Sequence, residues 1–136
     1  MKISARNQLV GKITSIENGA VNAKVVVQLK EQTITSIITL TSVEELGLEV
    51  GSDVTAVIKS SETMLMVGDA KISARNQLKG KVTVINKGAV NSQVTVDVDG
   101  QPITSVVTIS AVEDLGLAIG SEVKMIIKSS SIMLAV

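Results

Sequence analysis

Three short polar blocks of residues occur twice in the chain, each copy lying 69 residues from its counterpart. Their Ser, Asn, Lys and Arg side chains all donate hydrogen bonds, and no block contains a carboxylate. A group of donors without an acidic partner is suited to holding an anion. The block that begins with glycine adds backbone N–H groups, which can surround an oxyanion where a turn exposes them. The blocks are Ser4-Ala5-Arg6-Asn7, Gly19-Ala20-Val21-Asn22 and Lys59-Ser60-Ser61, with counterparts Ser73-Ala74-Arg75-Asn76, Gly88-Ala89-Val90-Asn91 and Lys128-Ser129-Ser130.

A simpler interpretation is open for each block. Arg6 and Arg75, the only two arginines in the chain, could each pair with a surface carboxylate. Gly19, between the first two predicted strands, could simply provide a positive backbone φ angle for a turn. The triplet Lys59-Ser60-Ser61 could be a solvated turn. However, this triplet is identical in both copies while the two residues after it change, which favours the interpretation as anion donors.

The composition excludes several kinds of chemistry. The chain has no His, Cys, Phe, Trp or Tyr, so it offers no imidazole or thiolate for catalysis or metal binding, and no aromatic ring to stack on a base. Its serines have no recognisable base to activate them. The 13 basic residues balance 13 acidic ones, whereas nucleic-acid binders usually carry a basic excess. We therefore predict a protein that is not an enzyme, holds no metal or cofactor, and binds neither nucleic acid nor membranes.

The polar blocks belong to a repeat that covers almost the whole chain. Residues 3–67 align without a gap with residues 72–136, and 37 of the 65 pairs are identical. We therefore predict a first domain at 1–67, a short linker at 68–71 and a second domain at 72–136. So short a linker keeps the domains close together. A domain of this size without disulfides has a small core, which predicts further burial in a homo-oligomer.

The elements that must position the blocks are mainly strands, because Val- and Ile-rich segments alternate with turn signals. Thr41 with Glu44 fits a helix capping box, and Gly47 fits a helix end. Three strands, a short helix and two more strands are the order of the OB-fold, a five-stranded Greek-key barrel. The predicted fold is therefore all-β, with two tandem OB-fold barrels that each have one short helix between strands 3 and 4. The predicted strands of the first repeat are Asn7–Ile16, Ala20–Leu29, Ile34–Leu40, Val54–Lys59 and Met64–Val67.

The first residues of the chain do not form an apolar run. Polar and charged residues interrupt the segment Met1-Lys2-Ile3-Ser4-Ala5-Arg6, so it fits neither a signal peptide nor a membrane span. The expected location is the cytoplasm, with which the absence of cysteine is compatible.

Taken together in this order, the motifs resemble the molbindin family of Mop-type molybdate-binding proteins, and the tandem arrangement resembles its two-domain members. The resemblance implies cytoplasmic OB-fold proteins that bind molybdate and tungstate between subunits, for molybdenum storage or homeostasis, as trimers of two-domain chains. It implies that the oxyanion is held by donors rather than by direct coordination of the metal. By matching motif, the resemblance implies that one set of residues in each repeat binds the oxyanion. In the first repeat they are Ser4, Arg6, Asn7, Ala20, Val21, Asn22, Lys59, Ser60 and Ser61, and in the second Ser73, Arg75, Asn76, Ala89, Val90, Asn91, Lys128, Ser129 and Ser130.

Two questions stay open at this stage. The sequence does not assign each ligand to a particular site, nor does it say whether Ser36 and Ser105 take part. The alternative function is a molybdate-responsive regulatory module that acts on a partner protein.

Overall fold

The computed structural model describes all 136 residues, and in it each repeat folds into five strands, one short α-helix and one 3-10 turn. The predicted strands are confirmed with small shifts at their ends. In the first repeat the elements are β1 Asn7–Asn18, β2 Asn22–Gln28, β3 Thr33–Thr39, α1 Leu40–Glu45, β4 Asp53–Ile58, the 3-10 turn Ser60–Glu62 and β5 Thr63–Met66. In the second they are β6 Asn76–Lys87, β7 Asn91–Val98, β8 Gln101–Thr108, α2 Ile109–Asp114, β9 Glu122–Ile127, the 3-10 turn Ser129–Ser131 and β10 Met133–Ala135.

The two repeats exchange their last strands. One antiparallel sheet has the order β10-β4-β1-β2-β3, and the other has the order β5-β9-β6-β7-β8. Thus β10 of the second repeat pairs with β4 of the first, placing Leu134 opposite Ala56. In the same way β5 of the first repeat pairs with β9 of the second, placing Leu65 opposite Met125. Each five-stranded sheet is therefore completed by the other repeat, a feature that the sequence did not predict.

In each sheet a glycine allows two strands to approach closely, and a serine links the two edges. A Cβ atom on Gly11 of β1 would lie 2.6 Å from the carbonyl oxygen of Gln28 on β2, so only glycine allows this close approach. The hydroxyl of Ser36 on β3 donates to the carbonyl of Ile132, which leads into β10, over 2.6 Å. Ser105 makes the equivalent bond to Thr63 over 3.1 Å. These fully buried serines link the two edges of each sheet through their hydroxyl groups.

One continuous hydrophobic core contains buried side chains from both repeats. Alternate residues of the strands point into it, as in β2, where Val25 and Val27 belong to the core and their neighbours are partly exposed. This is the period of two expected for a sheet with one buried face. The shared core and the exchanged strands make the two repeats one packed body.

The helices begin two residues earlier than predicted. The side chain of Thr39, not Thr41, caps α1 by accepting a hydrogen bond from the Ser42 N–H over 3.1 Å. Because β3 runs directly into the helix, its last residue already has the extended conformation that an N-cap needs. The predicted end of the helix is confirmed, since Gly47 has a φ of 61°. Neither helix approaches the length and apolar character of a membrane span.

Candidate functional site

The first and third polar blocks of the first repeat meet in one cavity. Strands β1 and β4 are antiparallel, and Asn7 at the start of β1 lies opposite Ile58 at the end of β4. The residues just before Asn7 therefore face those just after Ile58. Between them is an open cavity of about 390 Å³. Its lining consists of Ser4, Ala5, Arg6, Lys59, Ser60 and Ser61, together with the apolar side chains of Ile3 and Met133.

An equivalent cavity of about 420 Å³ lies in the second repeat. It forms for the same reason, because Asn76 at the start of β6 lies opposite Ile127 at the end of β9. Arg75 is not among its lining residues, whereas Arg6 lines the first cavity. The lining consists of Ile72, Ser73, Ala74, Lys128, Ser129, Ser130 and Met64.

The cations of both blocks have no acidic partner in the protein. The three ion pairs of the structure join Lys12 to Asp53, Lys24 to Glu17 and Lys124 to Asp69. None of them involves the two arginines or the lysines that follow β4 and β9, so the interpretation of the arginines as partners of surface carboxylates is wrong. No carboxylate lines either cavity. Both cavities therefore offer positive charge and hydroxyl donors to an anion.

The glycine block lies at the exposed turn between β1 and β2, outside both cavities. The Gly19 N–H donates to the Asn22 carbonyl over 2.8 Å and closes the turn, and the Leu40 N–H donates to the Val21 carbonyl over 2.9 Å. The N–H groups of Ala20 and Val21 make no hydrogen bond to the backbone. The side chain of Val21 is 70% exposed. The turn therefore presents free backbone donors beside an exposed apolar side chain, and Gly88–Asn91 repeats this arrangement.

The expectation that Gly19 and Gly88 provide a positive φ angle is wrong. Neither is among the residues with positive φ. A Cβ atom at either position would instead lie 3.0 Å from the carbonyl oxygen of Asn22 or Asn91. The glycine therefore relieves a tight contact within the turn's own backbone.

Asn7 and Asn76 lie away from the cavities that their blocks form. Both are 2% exposed, and neither lines a cavity. Each uses its side-chain amide to bond the backbone of the other repeat, Asn7 to Thr104 and Asn76 to Thr35. The geometry therefore corrects the expectation that these two amides face an anion, because their oxygens and one N–H of each are already bonded between the repeats.

Four apolar side chains of the cavities were not identified from the sequence. Ile3 and Ile72 precede the serine blocks, while Met133 and Met64 come from the exchanged strands. The signal that could have found them is that each pair is identical in the two repeats although its members are 40–45% exposed. An exposed apolar residue retained in both copies is not explained by core packing.

The acidic residues lie outside the two cavities. No group of three His, Cys, Asp or Glu side chains is placed to hold a metal ion. Asp69 in the linker has its pKa lowered by a hydrogen bond and the charge of Lys124. Burial would raise the pKa of Asp99, but hydrogen bonds from the Gln32 side chain and from the backbone N–H groups of Gln32 and Glu31 lower it below its ordinary value.

Comparison with known proteins identifies both repeats as members of one domain family. Residues 3–65 and 72–134 each match the TOBE domain. The molybdenum transport protein ModE of Azotobacter vinelandii is 43% identical, with 100% of this chain and 52% of that protein covered. The molybdenum-pterin-binding protein MopA of Rhodobacter capsulatus is 38% identical, with 99% of this chain and 52% of that protein covered. The chain therefore spans about half the length of these relatives.

A solved structure agrees with the fold over its full length. The crystal structure of ModG, described as a cytoplasmic molybdate-binding protein and determined with molybdate bound, has a TM-score of 0.95 and 41% sequence identity, covering 100% of this chain and 99% of that one. The OB-fold prediction is thereby confirmed. Two matched domains and full-length similarity to a two-domain structure show that the protein belongs to the TOBE-domain family, as a molbindin of the tandem two-domain form.

Proposed function

We propose that the protein binds molybdate, and tungstate in the same way, as a cytoplasmic store or buffer of the oxyanion. The observation that carries this proposal is the pair of cavities that contain cations and serines but no carboxylate. Full-length similarity to ModG, which is described as cytoplasmic and was crystallised with molybdate bound, supports the choice of ligand. No carboxylate, histidine or cysteine lines either cavity, and the proposed role is binding without catalysis.

The charge and protonation of molybdate match the cavities. At neutral pH molybdate is a tetrahedral dianion whose oxygens only accept hydrogen bonds. Arg6, Lys59 and the serine hydroxyls provide the donors in the first cavity, and charge-assisted bonds of this kind are the strong ones. Phosphate keeps a proton near neutrality, and that proton would find no acceptor, at a cost of about 1–3 kcal/mol. Sulfate has no such proton, so it must be discriminated by its smaller size.

We further propose that three chains assemble and complete the sites between them. Each cavity is open and far larger than one tetrahedral anion, and exposed apolar side chains such as Ile3 flank it. The β1–β2 turns, with free N–H groups at Ala20 and Val21 and an exposed Val21 side chain, have the chemistry to meet an anion on a neighbouring chain. In this arrangement Asn22 and its counterpart Asn91 contribute with the turns. A 14 kDa species in gel filtration at micromolar concentration would argue against assembly.

Isothermal titration calorimetry of the purified, anion-free protein tests the proposal. We expect saturable binding of molybdate and tungstate, weaker binding of sulfate and still weaker binding of phosphate. The number of anions per chain reports whether sites are shared between chains. Equal affinity for all four anions, or no heat with molybdate at several temperatures, would overturn the proposal.

A second candidate function is a molybdate-responsive module that acts on a partner. One observation favours it: the whole chain matches about half of ModE, so the same pair of domains also occurs as part of a longer protein. A pull-down from cell extract with and without molybdate distinguishes the two functions. A partner that is retained only in one condition supports the module, whereas a buffer is expected to retain none.

A further inference from the structure

One side chain of each cavity comes from the other repeat. Met133 lies at the start of β10, which pairs with β4, and it lines the cavity that contains Lys59. Met64 on β5 lines the cavity that contains Lys128. The two methionines are 69 residues apart and are counterparts in the repeat. Strand exchange therefore gives each cavity a wall that its own repeat does not encode.

The segments that connect the two cavities are very short. Lys59 and Met64 lie on one continuous stretch of chain, and they line different cavities. The same holds for Lys128 and Met133. The two 3-10 turns between them approach each other, because the Ser131 hydroxyl donates to a Glu62 carboxylate oxygen over 3.3 Å. Each turn therefore positions the backbone of a methionine at one cavity, and the residues at the start of the same turn provide donors to the other cavity.

The methionines are retained more strictly than their position in the strand requires. The residue before each methionine changes between the repeats, with Thr63 replaced by Ile132, and Met66 two residues further on is replaced by Ala135. The residue between, Leu65 or Leu134, is identical in both repeats and packs in or against the core. Met64 is 43% exposed and Met133 is 44% exposed, so neither fills the core. A β-branched residue would be a better strand former at an exposed position. Their identity in both repeats is explained by a role in the cavities.

The chemistry of the cavities gives the methionines a specific task. Donors and positive charge attract every tetrahedral dianion, and they do not by themselves distinguish two such anions of equal charge and shape. Size is sensed by side chains that touch the anion without donating to it. In the first cavity these are Met133, Ile3 and the small side chain of Ala5. Of the three, methionine has the longest reach and the most adaptable shape.

We propose that Met133 and Met64 determine the size selectivity of the anion sites, each in the cavity of the repeat that does not contain it. This inference rests on the proposed function, because it concerns the choice between molybdate and the smaller sulfate at the same cavities. The thioether forms an apolar wall that contacts the larger anion and leaves a gap beside the smaller one.

The experiment compares the affinities for molybdate and sulfate by calorimetry in two backgrounds, each with one cavity weakened. In Lys128→Ala, binding reports mainly the first cavity, and adding Met133→Ala is expected to reduce the ratio of the two affinities about tenfold, as loss of methylenes from a pocket wall does. In Lys59→Ala, adding Met64→Ala is expected to do the same. Met133→Leu and Met64→Leu, which keep most of the volume, are expected to retain most of the selectivity.

Val136→Ala provides the matched control, because Val136 follows β10, is 74% exposed and lines neither cavity. It is expected to leave the ratio unchanged in both backgrounds. Circular dichroism melts check that every variant is folded. An unchanged ratio on adding Met133→Ala to Lys128→Ala, or a loss of selectivity equally large in Val136→Ala, would overturn the inference.

The failure of this inference is distinguishable from that of the proposed function. If the unmodified protein does not prefer molybdate to sulfate, the proposed function fails and the inference fails with it. If the unmodified protein is selective and the methionine-to-alanine variants are equally selective, only the inference fails.

Discussion

The side-chain amide of Asn7 pairs with the backbone of Thr104 in the other repeat, as a neighbouring strand would. Its Nδ2 donates to the Thr104 carbonyl over 2.8 Å, and the Thr104 N–H donates to its Oδ1 over 2.7 Å. Asn76 forms the same pair with Thr35, over 2.9 Å and 2.7 Å. The residue next to Arg6 of the first cavity is therefore part of the joint between the repeats, and the position of the cavity depends on that joint.

Replacing Asn7 with Ala is expected to destabilise the protein. The change leaves two partly buried backbone groups of Thr104 without partners, and a buried group left unpaired costs about 1–3 kcal/mol. Urea denaturation followed by far-ultraviolet circular dichroism measures the loss in free energy of unfolding. Gln8→Ala is the control, because Gln8 is exposed and makes only a 3.5 Å bond to the Ala5 carbonyl. Equal stability of the Asn7 and Gln8 variants would contradict the role of the amide pair.

The exchange of last strands predicts which introduced cysteines can form a disulfide. Ala135 lies opposite Thr55 in the exchanged sheet, whereas without exchange its counterpart Met66 would take that place. Since the chain has no cysteine, the double variant Thr55→Cys/Ala135→Cys is expected to form a single intrachain disulfide. Directly opposed residues of antiparallel strands come within the Cα separation that a disulfide requires. Non-reducing electrophoresis and intact mass detect the bond.

The matched control for this prediction is Thr55→Cys/Met66→Cys. In the exchanged arrangement Met66 pairs with Lys124 on the other sheet, so its cysteine is expected to stay reduced. Oxidation of the control in place of the first pair would show that each repeat keeps its own last strand.

The carboxylate of Asp99 makes the stability of the contact between the two repeats depend on pH. It accepts hydrogen bonds from the N–H groups of Glu31 and Gln32 and from the Gln32 side chain, at 2.6–3.0 Å. Because these bonds hold the pKa of Asp99 below its ordinary value despite burial, its contribution to stability is complete above the unfolded pKa of about 3.9. The contribution is lost as pH falls through the lower pKa of the folded state.

Asp99→Asn is therefore expected to be less stable than the unmodified protein at pH 7, by about 1–2 kcal/mol, because hydrogen bonds to a charged acceptor are replaced. Asn tolerates the positive φ of 53° at this position. The difference in free energy of unfolding is expected to shrink below about pH 4, as urea denaturation at several pH values would show. Asp97→Asn, whose carboxylate is exposed on the neighbouring strand, serves as control. A difference that stays constant down to pH 2 would refute the assignment.

The elements of the fold could be predicted because their signals are local. Alternating Val and Ile residues determine the strands, and Gly47 determines the helix end. The exchange of strands could not be predicted, because β5 and β10 share Met-Leu at equivalent positions and either strand has the pattern to fit either sheet. The role of Asn7 was missed for a related reason. An amide that bonds to backbone and one that binds an anion look the same in sequence, and only burial separates them.

The lysines that follow β4 and β9 give the sharpest test of the cavities themselves. Lys59 and Lys128 are exposed and make no ion pair, so their removal costs the fold little. Each is expected to donate to the bound anion, and a hydrogen bond to a charged group contributes about 1.5–3 kcal/mol. The double variant Lys59→Ala/Lys128→Ala is therefore expected to bind molybdate at least about tenfold more weakly, with an unchanged melting temperature. The matched control is Lys12→Ala/Lys81→Ala, which removes the same charge from another pair of equivalent positions outside the two donor cavities. If calorimetry showed equal weakening in both double variants, the effect would come from net charge, and the two cavities would not be the sites where the anion binds.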